Sequence, residues 1–244
     1  MSPIRLYIIE ELSQNCQISL NEAQAHYLFK VMRRKVGDEI LLFNGINGLW
    51  ISQITEIGKN SCVLIVKELI KPQEIGIDFY LCYAPVKNTT TSFIVQKATE
   101  LGVSKIKAIN TKYTIVNKIN KERLEKVAIE AAEQCERLTI PIIDEIISLK
   151  DLLKTWDINR ILFFCDESGK GENIITCVNK IAKKSLNSTC AIIIGPEGGF
   201  SEEERDLLNS YSFVQPVSLG PRILKSDTAI ISALSIVAAI LGDW

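Results

Sequence analysis

The sequence predicts an α/β protein in which a small β-barrel domain precedes a larger α/β domain with a largely parallel sheet. Three observations lead to this fold class. The 244 residues, 47% hydrophobic and 23% charged, are typical of one large or two unequal globular domains. Short β-rich runs fill residues 1–70, whereas strands alternate with helices in residues 77–244. The stretch 71–76 breaks both periodicities, so we place the linker there.

The first domain is predicted to consist mostly of strands. Apolar and β-branched runs at residues 5–9, 39–43, 49–57 and 62–69 are separated by turn residues, which is typical of successive antiparallel strands. One helix interrupts them at residues 22–33, where apolar residues recur at helical spacing. We expect Asn21 or Ser19 to cap its first turn.

The second domain is predicted to alternate strands with helices. We expect strands at residues 77–83, 105–109, 160–165 and 190–194, and helices at residues 90–101, 121–137 and after Ser226. This alternation is typical of a parallel sheet covered on both faces. Ligands of such sheets bind beyond the carboxyl ends of the strands, so the loops that follow strands are the places to search for chemistry.

The charge balance excludes nucleic-acid binding through a global basic field. The 28 Lys and Arg residues face 29 Asp and Glu residues, for a net charge of −1. Any nucleic-acid site therefore has to be local. The densest basic cluster consists of Lys30, Arg33, Arg34 and Lys35. Such a cluster is most often a solvated face, and an RNA contact is the alternative.

The cysteine pattern indicates a reducing cytoplasm. The seven cysteines are widely spaced, include no C-x-x-C pair and follow no leader peptide. The single histidine, His26, has no Cys or His close in sequence, so we expect no metal site. The longest apolar stretch, residues 229–241, is interrupted by Ser232 and Ser235 and is too short to cross a membrane.

The strongest functional signal is a glycine-rich loop, residues 195–200, that follows a buried strand. Its three glycines allow positive φ and leave main-chain groups uncovered, which suits a planar ligand such as a nucleoside. Neither common phosphate-binding motif is present, and Glu197 disfavours a phosphate. A cationic ligand therefore suits this loop better.

A second Gly-Pro loop, residues 217–225, follows the next short strand, and residues 226–228 are candidate caps of the final helix. Either loop alone is most simply a strand-to-helix turn. Two of them in the same half of the chain point to one shared pocket. Ser201 has capping-box spacing with Glu204, which explains it better than a role as a nucleophile, so hydrolytic triads are poorly supported.

Several motifs occur in one order along nearly the whole chain. They are residues 26–33 with 36–38, residues 96–103, residues 130–137, residues 194–200 and residues 219–224. As a set, they resemble the bacterial ribosomal RNA small subunit methyltransferase E family. The paired Gly-Pro loops are typical of the wider SPOUT superfamily of RNA methyltransferases, and the segments 96–103 and 130–137 narrow the resemblance to this family.

The resemblance implies a PUA-like β-barrel before a SPOUT-type α/β domain with a trefoil knot. It implies S-adenosyl-L-methionine as methyl donor and N3 of one uridine in 16S ribosomal RNA, free or in the small ribosomal subunit, as acceptor. It also implies a homodimer with active sites at the subunit interface. Two alternatives remain open: a non-catalytic RNA-binding or assembly factor, and a SPOUT methyltransferase acting at another RNA position.

The resemblance assigns the donor pocket to the two Gly-Pro loops. The implied donor-binding residues are Ile194, Gly195, Pro196, Glu197, Gly198, Gly199, Leu219, Gly220, Pro221 and Leu224. We expect Arg222 to stabilise the uracil anion, with Glu197 or a water as proton acceptor. Alternatively, Glu197 favours the sulfonium charge or only orients the loop. Lys225 and Asp227 stand where the family commonly has Arg and Glu, and Lys lacks the planar fork of Arg.

Basic and polar side chains are the expected RNA contacts. They are Arg33, Arg34, Lys35, Lys97, Gln134 and Arg137. For Arg137 the alternative is a contact with carbonyls at a helix end. The final helix is apolar nearly all round, which indicates either burial in the core or a dimer contact.

Overall fold

The computed structural model describes residues 4–74, 76–183, 189–242 and 244. The chain folds into two compact units. The first unit comprises Met1–Ile75 together with Ala132–Ile140, and the second comprises Gly76–Ala131 together with Pro141–Trp244.

The first unit contains a mixed sheet with the strand order β1-β3-β4-β5-β2. Its strands are β1 (Arg5–Tyr7), β2 (Gln17–Leu20), β3 (Glu39–Phe43), β4 (Leu49–Ile57) and β5 (Cys62–Lys71). Strands β3, β4, β5 and β2 pair antiparallel, as predicted for the first three. The prediction was wrong for β1, which pairs parallel with β3. The intervening chain carries β2 and a helix, so β1 and β3 are not joined by a hairpin turn.

The predicted helix of this unit is shorter than expected and changes its hydrogen-bond pattern. Helix α1 (Glu22–His26) continues as a π-helical turn over Tyr27–Val31. The main-chain N–H of Met32 donates to the carbonyl of Tyr27 at 2.9 Å, which closes that wider turn. At the other end, the Asn21 carboxamide oxygen accepts from the N–H of Gln24 at 2.9 Å. Asn21 is therefore the cap, and Leu28 is fully buried in the core.

The second unit contains a parallel sheet, as predicted. Within the described residues, seven strands follow the order β10-β12-β9-β11-β6-β7-β8. They are β6 (Phe79–Tyr83), β7 (Lys105–Asn110), β8 (Ile142–Ser148), β9 (Ile161–Cys165), β10 (Glu172–Asn173), β11 (Cys190–Ile194) and β12 (Val214–Ser218). All neighbouring strands run parallel. Sequence reasoning missed β2, β8 and β10, because these segments are short or are interrupted by acidic residues.

Helices cover both faces of this sheet. The helices that follow β6 are α2 (Asn88–Glu100), α3 (Lys121–Gln134), α4 (Leu149–Lys154), α5 (Ile174–Ala182), α6 (Glu202–Asn209) and α7 (Ser226–Leu241), of which α3 belongs to the first unit from Ala132 onward. Ala191 and Ile193 of β11 share a core cluster with Leu152 and Leu153 of α4 and Leu208 of α6. Side chains alternate along a strand, so the residues between them face the other layer. There α7 contacts β11, α2 and α5.

Burial in the core explains part of the apolar surface of the final helix, α7. Ile230, Ala233, Leu234 and Val237 are fully buried, which confirms that one stripe of α7 belongs to the core. Ala229, Ala238 and Leu241 are buried as well, whereas Ile231, Ile236, Ala239 and Ile240 are at least partly exposed. A dimer contact through them stays a prediction, as does the trefoil knot. Among the described residues, no helix combines the length and apolarity needed to span a membrane.

Candidate active site

A cavity of about 420 Å³ lies at the carboxyl ends of β9, β11 and β12, which are neighbours in the sheet. Both Gly-Pro loops line it, so the structure brings together the two segments that the sequence paired. Of the ten implied donor residues, nine line the cavity: Ile194, Gly195, Pro196, Glu197, Gly199, Leu219, Gly220, Pro221 and Leu224. Gly198 does not line it, because it faces the side chain of Tyr113.

The glycines of the first loop serve different purposes from those expected. Of Gly195, Gly198 and Gly199, only Gly199 has positive φ, at 69°. A side chain at Gly195 would lie 2.7 Å from the ring of Phe200. Phe200 packs edge-on against Phe164 of β9 at 5.2 Å between ring centroids. Gly195 therefore allows the loop to close over an aromatic core.

A third loop, residues 165–169, forms a further wall of the cavity, which Ser226 and Ala229 of α7 also line, and this loop was missed in the sequence. Asp166 is 8% exposed there, and its Oδ1 accepts from the N–H of Ser168 at 3.0 Å. The N–H of Asp166 donates to the carbonyl of Val217 at 3.1 Å, which connects this loop to β12. The signal available was an acidic, Gly-containing turn directly after the predicted strand 160–165.

Ser201 is the N-cap of α6, which confirms the structural interpretation. Its Oγ accepts from the N–H of Glu204 at 3.3 Å, and Glu204 Oε2 accepts from the N–H of Ser201 at 2.9 Å. Glu204 Oε1 also accepts from the N–H of Lys112 at 2.8 Å. Ser201 is 5% exposed, so its hydroxyl is engaged in the helix start and not presented to the cavity as a nucleophile.

The second Gly-Pro loop carries Arg222 into the cavity wall. Arg222 and Glu197 both line the cavity and both are exposed. Gly220 has φ of 113°, and its N–H donates to Ser218 Oγ at 3.3 Å. The predicted caps of the last helix were wrong: the N-cap position is Lys225, which makes no side-chain capping bond, and Ser226 is the first helical residue.

The Cys165 thiol in the cavity wall is not activated as a nucleophile. Burial raises the pKa of Cys165, which lines the cavity, to about 12, so this thiol is protonated at neutral pH. Burial likewise raises the pKa values of Cys82 and Cys190 to about 12. In the part of the chain that the structure describes, no group of three or more His, Cys, Asp or Glu side chains is arranged to hold a metal ion.

The predicted RNA contacts differ in their local environment. Arg33 has φ of 53° and follows the π-helical turn, and the main-chain N–H of Arg34 donates to the carbonyl of Leu28 at 2.9 Å. Lys97 Nζ pairs with Glu100 at 2.8 Å. Their roles stay predictions.

The predicted helix 121–137 ends earlier, at Gln134, which leaves Arg137 beyond it. Arg137 Nε donates to Thr139 Oγ1 at 2.8 Å. The same segment packs within the first unit: Ala132 and Leu138 form a cluster with Phe43 and Leu49.

Comparisons with known proteins agree with this architecture. A family model described as an RNA methyltransferase domain matches residues 73–238, and an RNA methyltransferase PUA domain matches residues 20–67. The chain is 39% identical to ribosomal RNA small subunit methyltransferase E of Rickettsia conorii, over 95% of this chain and 93% of that protein. It is 32% identical to the protein of the same name from Buchnera aphidicola of Schizaphis graminum, over 98% and 97% of the two chains.

A solved structure shares the whole fold. A methyltransferase of Legionella pneumophila, in complex with bound S-adenosylmethionine, is 28% identical and covers 100% of both chains with a TM-score of 0.87. The family model spans more than half of the chain, and the relatives match it over nearly their full length. The chain therefore belongs to the ribosomal RNA small subunit methyltransferase E family.

Proposed function

We propose that this protein transfers a methyl group from S-adenosyl-L-methionine to N3 of a uridine in 16S ribosomal RNA. The observation that carries the proposal is the convergence of both Gly-Pro loops on one cavity at the carboxyl ends of three adjacent parallel strands. Family membership supports it, since the curated relatives are named for methylation of small-subunit ribosomal RNA.

The cavity suits the proposed donor in size and charge. Its volume of about 420 Å³ lies in the range of small-ligand pockets. Glu197 lines it, and its carboxylate favours a sulfonium cation over an anionic ligand. Gly195 and Gly220 line the cavity without side chains, so main-chain groups of the two loops would hold adenine and ribose. The bound donor supplies the electrophilic methyl group.

The residues of the chain have three tasks in the proposed reaction. The two Gly-Pro loops hold the donor so that its methyl carbon lies in line with uridine N3. Glu197, or a water beside it, accepts the N3 proton. Arg222 stabilises the negative charge that the lost proton leaves on the uracil carbonyls. The N3–C bond forms as the S–C bond breaks, and the sulfur keeps that electron pair as a neutral thioether.

We propose residues 1–70 as a PUA-like RNA-binding domain, 71–76 as the linker and 77–244 as the methyltransferase domain. The basic run 33–35 and Lys97 hold RNA phosphates, while Gln134 and Arg137 approach the target strand. We further propose a homodimer, which gives a partner to the exposed apolar residues of α7. The cysteine pattern predicts a reducing cytoplasm, the compartment in which the protein would bind its ribosomal RNA substrate.

The decisive experiment is methyl transfer from radiolabelled S-adenosylmethionine to unmodified 16S ribosomal RNA and to small subunits. Nucleosides from the product are then separated and identified by mass spectrometry. We expect N3-methyluridine. Donor and RNA binding without transfer would leave the assembly-factor alternative, and a different modified nucleoside would leave a methyltransferase with another target.

A second experiment separates catalysis from binding. Replacing Arg222 with Ala should lower kcat by about a hundredfold, the scale of losing one charge-stabilising group, while the Kd of the donor changes little. Arg222→Lys, which keeps the charge but not the planar fork, should retain intermediate activity. Equal losses in turnover and donor affinity for Arg222→Ala would show that this residue only shapes the cavity.

A further inference from the structure

Glu167 in the loop 165–169 makes an ion pair with Arg205 on α6. The two residues lie 38 positions apart in sequence, and their ion pair connects the cavity wall at Glu167 to helix α6, which lies outside the lining. Arg205 Nη2 donates to Glu167 Oε1, and the main-chain N–H of Phe200 donates to the same oxygen at 3.3 Å. A single carboxylate oxygen thus holds both the glycine-rich loop and the helix that follows it.

The ion pair is joined by a second carboxylate. Arg205 Nε lies 3.5 Å from Asp166 Oδ1, and the Asp166 side chain is only 6% exposed. The side chains of Arg205 and Glu167 are about one-third exposed, at 31% and 32%. The hydrogen bond with Glu167 is the largest cause of the raised pKa of Arg205. One guanidinium therefore neutralises two acidic groups beside the cavity.

Gly199 is fitted to this carboxylate. A side chain at Gly199 would lie 2.9 Å from Glu167 Cδ, and the backbone there has φ of 69°. Glycine at this position therefore allows the positive φ of the turn and leaves room for the side chain of Glu167. The glycine-rich loop is held on the side that faces the loop 165–169, which is where the cavity lies.

We propose that Glu167 and Arg205 are positioning residues, whose ion pair holds the glycine-rich loop in its donor-binding form before the donor arrives. The inference rests on the proposed function for its ligand. A preformed loop spares the donor the cost of ordering it, so breaking the pair weakens donor binding more than turnover. Neither side chain acts on the methyl group.

The test compares Glu167→Gln, Arg205→Lys and the double variant with Glu203→Gln. The control removes another ion pair of the same helix, in which Glu203 meets Lys112 at 3.3 Å with both side chains more than half exposed. We expect Glu167→Gln and Arg205→Lys to raise the donor Kd and KM about tenfold, equal to about 1.4 kcal/mol. kcat should stay within about twofold, and the double variant should lose little more than either single one.

A measurement in the absence of donor tests the positioning role independently of methyl transfer. Hydrogen exchange of the Phe200 amide in the ligand-free protein should be faster in Glu167→Gln than in wild type, because Gln offers only a weaker, uncharged acceptor and no longer forms the ion pair with Arg205 that holds it in place. Glu203→Gln should leave it unchanged. Unchanged exchange in Glu167→Gln, or additive losses of donor affinity in the double variant, would overturn the positioning role even if ribosomal RNA is methylated as proposed.

Discussion

Replacing Gly199 with Ala tests the geometry of the cavity most directly. Gly199 has φ of 69°, and a methyl group there would lie 2.9 Å from Glu167 Cδ. Gly102→Ala is the matched control, since φ is 83° at that position and an added methyl group would meet no described atom within 4 Å. Both variants carry the left-handed strain, and only Gly199→Ala adds the collision with Glu167.

The expected magnitudes follow from this difference. A left-handed conformation costs a non-glycine residue about 1–2 kcal/mol, which corresponds to a fall in Tm of about 2–8 °C for a chain of this size. Gly102→Ala should show this loss and bind S-adenosylmethionine as wild type does. In Gly199→Ala the Glu167 carboxylate has to turn away and give up its bonds to Phe200 and Arg205, so we expect a further loss of about tenfold in donor affinity.

Thermal unfolding and isothermal titration with S-adenosylmethionine measure the two effects separately. Equal donor affinity in Gly199→Ala and Gly102→Ala, whether unchanged or reduced, would refute a role for the collision with Glu167. Left-handed strain alone would then account for any loss.

Three further predictions concern RNA binding, the helix cap and pH. Alanine at the basic run 33–35 should flatten the slope of log K against log salt by about 2 in ribosomal RNA binding, and an unchanged slope would exclude phosphate contacts there. Ser201→Ala should lower the free energy of unfolding by about 1 kcal/mol, measured by chemical denaturation; no loss would exclude a stabilising cap. The thiols of Cys82, Cys165 and Cys190 have pKa values raised by burial from 9.0 to about 12, so the protonated form is favoured on folding. Their contribution to the free energy of unfolding is complete below about pH 8. Ionisation of the unfolded chain lowers it by about 1.4 kcal/mol per thiol at pH 10, and this loss should shrink when all three are Ala.

Local patterns allowed much of the fold to be predicted. Apolar and β-branched runs located β3, β4 and β11 with their observed bounds, and side-chain spacing predicted the cap Ser201 and left Asn21 or Ser19 for the first helix, of which Asn21 is the cap. These features depend on neighbours within a few residues. The parallel pairing of β1 with β3 and the place of residues 132–140 in the first unit depend on distant contacts, which no periodicity reports.

The candidate site shows the same division. Both Gly-Pro loops were recognised because the glycine and proline residues that form a turn are neighbours in sequence. Nine of the ten implied donor positions line one cavity. The third wall was missed because Asp166 and Glu167 lie outside both motifs. The reason for Gly195 was also wrong, since the ring of Phe200, and not a positive φ, excludes a side chain there.

The sequence by itself determined most of the strands and helices, the cap of α6 and the two glycine-rich turns, since each follows from short-range periodicity and backbone preference. Only the tertiary structure decided that β12, β9 and β11 lie side by side and so gather three loops around one space. It alone paired Glu167 with Arg205 across 38 positions. Such contacts form because the packed sheet brings distant segments together. The local sequence pattern of the intervening residues does not predict them.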